Sequence, residues 1–235
     1  MIETALGTSI AFTAPHRLAT KAGYDILEAG GTAVEAMVAA AAQIAVVYPH
    51  MNSIGGDGFW LIKKEGKNPV AISACGPAAQ NANLDWYAEK GHSKTIPTRG
   101  PLAALTVPGT ISGWQLALEL DRSVSSIPLT ELLSAAINTA KTGIAVSKNQ
   151  YDTLKSKELE LAEVPGFKEF YFTENDVPKA GSKLIQAKLG ETLERLSRAG
   201  LGDFYTGELG QTHAKFLQQQ GSPLTHDDFK KFRAE

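Results

Sequence analysis

The chain has 235 residues, of which 43% are apolar and 20% charged, a mixture too apolar for a disordered chain and too irregular for a coiled coil. Its 23 lysines and arginines face 25 acidic residues for a formal charge of -2, which excludes the broad basic field that nucleic acid or an anionic membrane surface requires. Cys75 is the only cysteine, so no intrachain disulfide and no all-cysteine metal site can form.

In chain order, residues 1–7 contain neither a basic segment nor a continuous apolar run, so no secretory signal and a cytoplasmic, reducing setting are expected. Residues 15–29 carry Leu18, Ala22, Ile26 and Ala29 at spacings of three and four, which predicts an amphipathic helix stopped by Gly30-Gly31. Thr32 followed by Glu35 reads as a capping box. The alanine-rich run behind it predicts a helix buried nearly all round, and at about 15 residues it falls short of the ~20 that span a bilayer. Residues 59–62 and 70–74 read as the two strands of a hairpin. Residues 102–107 read as a strand that Pro108-Gly109 turns into a helix through Leu120. Further helices are expected over 130–141, from Ser147 to about residue 163, over 184–199 and over 208–220, with no internal repeat and no dividing linker.

Gly55-Gly56-Asp57-Gly58 is the sharpest local feature, because glycines allow positive φ and close approach of the backbone to a bound group. It matches neither nucleotide-binding glycine pattern, and a tight helix-to-strand junction explains it equally well. The five histidines show no metal-ligand spacing, so no metal and no cofactor are expected. Asp227-Asp228 beside His226 reads as a solvated helix start. Cys75 would be a nucleophile only beside a base in an electropositive setting; otherwise it is an inert thiol. Arg99 lies between Pro97 and Pro101 on a constrained loop, where its fork suits a substrate carboxylate, although a plain surface arginine fits too. The pairs Phe59-Trp60 and Phe204-Tyr205 are expected to fill core space.

Five motifs in order resemble the large, N-terminal subunit of the gamma-glutamyltransferase (gamma-glutamyltranspeptidase) family. They are Ala14-Pro15-His16-Arg17, Gly30-Gly31-Thr32-Ala33-Val34-Glu35-Ala36, the run from Tyr48 through Ser53-Ile54-Gly55-Gly56-Asp57-Gly58 to Phe59, Val107-Pro108-Gly109-Thr110, and Gly202-Asp203-Phe204-Tyr205-Thr206-Gly207. The resemblance implies an α+β, N-terminal-nucleophile hydrolase fold, an αββα sandwich of which residues 1–235 supply the helix-rich large-subunit part, incomplete at its C-terminal end. It also implies maturation by self-cleavage and a partner small subunit whose N-terminal threonine attacks an amide. No catalytic residue is then expected in these 235 residues, and Ser53, Gly55, Gly56, Asp57 and Gly58 are expected to pack so close to the site that only glycine fits at Gly56. The resemblance sets Cys75 where the family's R-E-x-A-P arginine binds the α-carboxylate of a glutamyl substrate. Several phrases look more like the oxamate amidohydrolase branch, which implies a small amide as substrate with Arg99 as a replacement anchor. Two alternatives stay open: a gamma-glutamyl transferase acting on glutathione-type substrates, and a non-catalytic scaffold.

Overall fold

His16 and Thr32 each satisfy the first turn of a helix in the computed structural model, which describes residues 6–121, 127–173 and 175–235. Residues 1–5, on which most of the reading of the N-terminal segment rests, lie outside that description. Helix α1 spans Arg17–Glu28, with the Leu18 N–H donating to His16 Nδ1 at 3.2 Å. Helix α2 spans Ala33–Val47 and opens on the expected capping box, the Glu35 N–H donating to Thr32 Oγ1 and the Thr32 N–H to Glu35 Oε2. There follow strands β1 (Gly58–Ile62) and β2 (Val70–Ala74), then helices α3 (Leu84–Glu89), α4 (Thr110–Asp121), α5 (Leu129–Leu132) and α6 (Ser134–Thr142). After them come β3 (Ile144–Ala145), α7 (Lys148–Leu161), α8 (Phe167–Tyr171), β4 (Lys183–Leu184) and α9 (Ala187–Ala199). A 3-10 turn at Leu201–Phe204 leads to α10 (Glu208–Gln219) and α11 (His226–Lys231).

Helix α2 is the centre, because a run of alanine and valine presents no side too polar to bury and no side chain too large for neighbouring helices to approach. It packs on α1, α4, α5 and α6. Its few polar groups serve as ties. Glu35, fully buried, accepts from the Ile127 N–H at 2.8 Å; Gln43 Nε2 donates to Thr139 Oγ1 on α6 at 3.0 Å. Gln186 Nε2 donates to the Val46 carbonyl at 2.7 Å and so fixes the start of α9 against the end of α2. Around them Leu133, Leu193 and Leu196 are completely buried, each contributing roughly 1.5–3 kcal/mol by leaving water.

The hairpin forms as the alternating pattern predicts, antiparallel with Phe59 opposite Ser73, Trp60 opposite Ile72 and Leu61 opposite Ala71. Trp60, Ile62 and Ile72 pack toward Val34 on α2 and Ala117 on α4. The period of two then places Phe59 and Leu61 on the other face, 73% and 77% exposed. Phe59 therefore does not fill the core as expected, whereas Phe204 and Tyr205 do, with ring centroids 5.2 Å apart. On the edge of β2 away from β1, Ser73 exchanges two backbone hydrogen bonds with Glu235.

Three expectations are corrected. Residues 102–107 are not a strand: Gly100, at φ 82°, starts a turn whose carbonyl accepts from the Ala103 and Ala104 N–H groups, and only Thr106 bridges Ala78. The helix expected over 130–141 breaks at the buried Leu133 into α5 and α6. The helix expected from residue 184 begins at Ala187, because Lys183 and Leu184 pair with Ala145 and Ile144. Ser147 does open α7, accepting from the Gln150 N–H at 3.0 Å.

Candidate functional site

The glycine loop joins α2 to β1 and sits on the N-terminus of α4. The Gly56 carbonyl accepts from the Gly109 and Thr110 N–H groups, both at 2.9 Å, and from Thr110 Oγ1 at 2.8 Å. A loop carbonyl thus takes the donors that a phosphate would seek at a helix N-terminus. None of Gly55, Gly56 and Gly58 has a positive φ, and a Cβ on Gly56 would meet nothing nearer than Ser53 Oγ at 3.8 Å. Within the described residues nothing crowds Gly56: the loop bends through ordinary backbone and lies open on one side.

Glycine is required one layer deeper. A Cβ on Gly109 would overlap the Ala74 carbonyl, and one on Gly76 would overlap the Val107 carbonyl. The end of β2 and the turn before α4 therefore run in direct backbone contact. Pro108-Gly109 announced a turn in the sequence, but nothing local showed that it touches the backbone after β2.

Asp57 locks the glycine loop to this junction. Its Oδ1 accepts from the Gly76 N–H at 3.3 Å and its Oδ2 from the Cys75 thiol at 3.5 Å. That hydrogen bond first, and the carboxylate's charge second, push the Cys75 thiol up from its ordinary pKa. Cys75 is exposed and held protonated, the reverse of an activated nucleophile. Ser53, Gly56 and Asp57 also line a cavity of about 510 Å³ beside His50. The site thus brings together Ser53, the glycine loop and Cys75.

Arg99 is placed differently. Its Nε donates to Glu160 Oε1 of α7 at 2.6 Å and its Nη1 to the Thr98 carbonyl at 3.4 Å. Among the described residues no hydrogen bond or ion pair joins it to Cys75 or Asp57. Glu160 is held below its ordinary carboxylate pKa by the hydrogen bonds from Lys157 and then Arg99.

On the other side of Cys75 lies a cavity of about 450 Å³, walled by the end of β2 and by α11 with the segment that follows it. Counted back from Pro77, the arginine of an R-E-x-A-P run falls at Ser73, two residues before Cys75, and both residues line this cavity. The acidic pair at the start of α11 divides. Asp227 is exposed as expected, but Asp228 is buried, its Oδ1 accepting from the Gln80 N–H at 2.9 Å and its Oδ2 from Thr225. Desolvation opposes ionisation of Asp228, yet these bonds outweigh it and its pKa is lowered. Among the described residues no three His, Cys, Asp or Glu side chains gather as a metal site would need, and no helix is long and apolar enough to cross a membrane.

Residues 19–235 match a family model described as gamma-glutamyltranspeptidase. The chain is similar to the oxamate amidohydrolase proenzyme of Klebsiella pneumoniae subsp. pneumoniae, 46% identical over 223 residues that cover 94% of this chain and 42% of that protein. To the glutathione hydrolase-like YwrD proenzyme of Bacillus subtilis it is 37% identical over 237 residues, covering 100% of this chain and 44% of that one. It therefore spans less than half the length of these two curated relatives. Among solved structures, the gamma-glutamyltranspeptidase from Pseudomonas nitroreducens complexed with L-DON shares its fold with a TM-score of 0.85 at 32% identity, over 99% of this chain and 67% of that one. The α+β class expected from the sequence agrees with these relatives. With the family model matched over all but the first residues and the motifs in their order on one fold, the chain belongs to the gamma-glutamyltranspeptidase family.

Proposed function

We propose that residues 1–235 form one unit, the helix-rich large-subunit part of an N-terminal-nucleophile hydrolase that cleaves a small amide. In this reading a small subunit, released by self-cleavage, presents an N-terminal threonine. Its hydroxyl attacks the amide carbonyl, its own α-amine takes the proton, the leaving amine departs, and water resolves the acyl-enzyme. The part of this chain is to wall the site with Ser53, Gly55, Gly56, Asp57, Gly58 and Cys75.

The observation that carries the reading is the contact between Cys75 and Asp57. A neutral thiol, turned to a carboxylate, lies two residues from Ser73, where the family's arginine falls, so neither position offers a cation to a glutamyl α-carboxylate. Loss of a charge-assisted bond of that kind removes roughly 1.5–3 kcal/mol, about one to two powers of ten in affinity. A substrate smaller than a glutamyl group fits that loss, and the 46% identity to a protein named oxamate amidohydrolase supports it. Arg99 remains a proposed anchor, but to reach a carboxylate it would have to exchange Glu160 for the substrate.

The test is intact mass and N-terminal sequencing of the full-length protein after purification, followed by hydrolysis assays on oxamate and on a gamma-glutamyl amide. A second polypeptide beginning with threonine, with turnover of oxamate, is the expected result. Turnover of the gamma-glutamyl amide alone would replace this reading with glutathione-type chemistry, which the 37% identity to a glutathione hydrolase-like protein favours. Absence of any threonine-led chain would leave a scaffold. Arg99→Ala with kcat/KM unchanged on every amide would remove Arg99 from the site.

A further inference from the structure

The cavity beyond Cys75 is walled on one side by Ser73, Cys75 and Pro77 and on the other by Lys231, Phe232 and Arg233. The two cations are not placed there by chance contact of a floppy tail. Asp228 clamps α11 to Gln80, Phe232 is buried, the Ala234 N–H donates to Ser112 Oγ at 2.8 Å, and Glu235 pairs with Ser73. Arg233 is held further by its Nη1, which donates to the Lys230 carbonyl at 3.1 Å and the Phe232 carbonyl at 2.5 Å. Among the described residues no carboxylate lies within 4.0 Å of the charged nitrogens of Lys231 or Arg233. Two acidic side chains share the cavity: Asp228, which accepts from Gln80 and Thr225 and feels the charge of Lys231, and Glu235, exposed like the two cations.

We infer that Lys231 and Arg233 hold the carboxylate end of a small anionic amide in this cavity, taking the anchoring role that Cys75 and Ser73 cannot. The inference rests on the amide-hydrolase reading above for its substrate, but its physical content is the binding of a compact carboxylate. A guanidinium suits that ligand because two parallel N–H donors match the two carboxylate oxygens, and an ammonium beside it adds a point charge. The cations come from the last residue of α11 and the segment that follows it, more than 150 residues from Cys75 in sequence, so no motif around Cys75 could have announced them.

The experiment uses the full-length protein, wild type and the Lys231→Ala/Arg233→Ala double variant, with self-processing checked by mass. Titration calorimetry measures binding of oxalate and of oxamide, which has the same shape without charge. The expected result is a loss of roughly tenfold or more in oxalate affinity in the double variant, with oxamide binding unchanged. In turnover, KM for oxamate should rise with kcat unchanged. Equal oxalate affinity in the two proteins overturns the inference. A wild type that binds oxalate through these residues yet turns over no amide would overturn the amide-hydrolase reading and leave the anion site standing. Should the double variant fail to fold, Arg233→Gln and Lys231→Gln singly decide the matter: each should lose part of the oxalate affinity, and wild-type affinity in both overturns the proposal.

Discussion

The Cys75 thiol donates to Asp57 Oδ2 at 3.5 Å, across 18 residues of sequence and from the far end of the hairpin. The same carboxylate holds the Gly76 N–H, so one acidic side chain fixes both the protonation of the thiol and the position of the backbone behind it.

Asp57→Asn removes the charge that disfavours the thiolate while keeping an acceptor of similar size. The thiol pKa should fall towards its ordinary value, so at a fixed mildly alkaline pH a larger fraction of Cys75 is thiolate. Alkylation by iodoacetamide, followed by mass across a pH series, should show a profile displaced to lower pH in the variant. Superimposable profiles would mean that the carboxylate does not control the thiol.

Gly109→Ala and Gly56→Ala should differ sharply although both lie at the same junction. A Cβ at Gly109 overlaps the Ala74 carbonyl, which belongs to a strand that cannot move alone, whereas a Cβ at Gly56 meets open space. Overpacking of this kind costs roughly 1–3 kcal/mol. Urea unfolding should show a lower midpoint for Gly109→Ala and an almost unchanged one for Gly56→Ala; equal midpoints would refute the backbone contact.

Tyr205→Phe should lower stability by about 1–3 kcal/mol, because the hydroxyl is buried and spans two groups that lose a partner together. It accepts from the Ser112 N–H in the first turn of α4 at 2.9 Å and donates to the Pro108 carbonyl at 2.8 Å. Burial pushes its pKa well above the ordinary tyrosine value, so the donated bond persists through alkaline pH. Thermal unfolding of the variant measures the loss, and an unchanged Tm would mean that water replaces the hydroxyl.

His213 should make the fold sensitive to acid. Desolvation lowers its pKa from the ordinary 6.5, only partly offset by the charge of Asp203, and its ring lies 5.1 Å from that of Phe204. Because the folded value lies below the unfolded one, the unfolded chain binds the extra proton between them. The stability linked to a neutral His213 is therefore present above the unfolded value and lost as pH falls towards the folded one. His213→Leu should narrow the difference in Tm between pH 8 and pH 5; an undiminished difference assigns the acid sensitivity to other groups.

Local chemistry was enough for the capping box of Thr32 and Glu35, the buried all-apolar α2, the hairpin and the start of α7 at Ser147, because each depends on neighbours within a few residues or on a simple period. The ordered motifs were likewise legible in the sequence, and with them the family. What tertiary structure alone decided is which surfaces meet. Phe59 was apolar and in a strand, yet among the described residues no layer covers that face and it stays exposed. The run at 102–107 had strand composition, but a turn at Gly100 consumed the backbone donors that a long ladder would need. Gly56 stood out in a glycine cluster, yet the glycines that sterics require are Gly76 and Gly109, since close approach is a property of two segments and neither records the other. Arg99 found Glu160 and Cys75 found Asp57 through contacts across 61 and 18 residues, and Cys75 came to line one cavity with Lys231 and Arg233, more than 150 residues away, none of which a local pattern encodes.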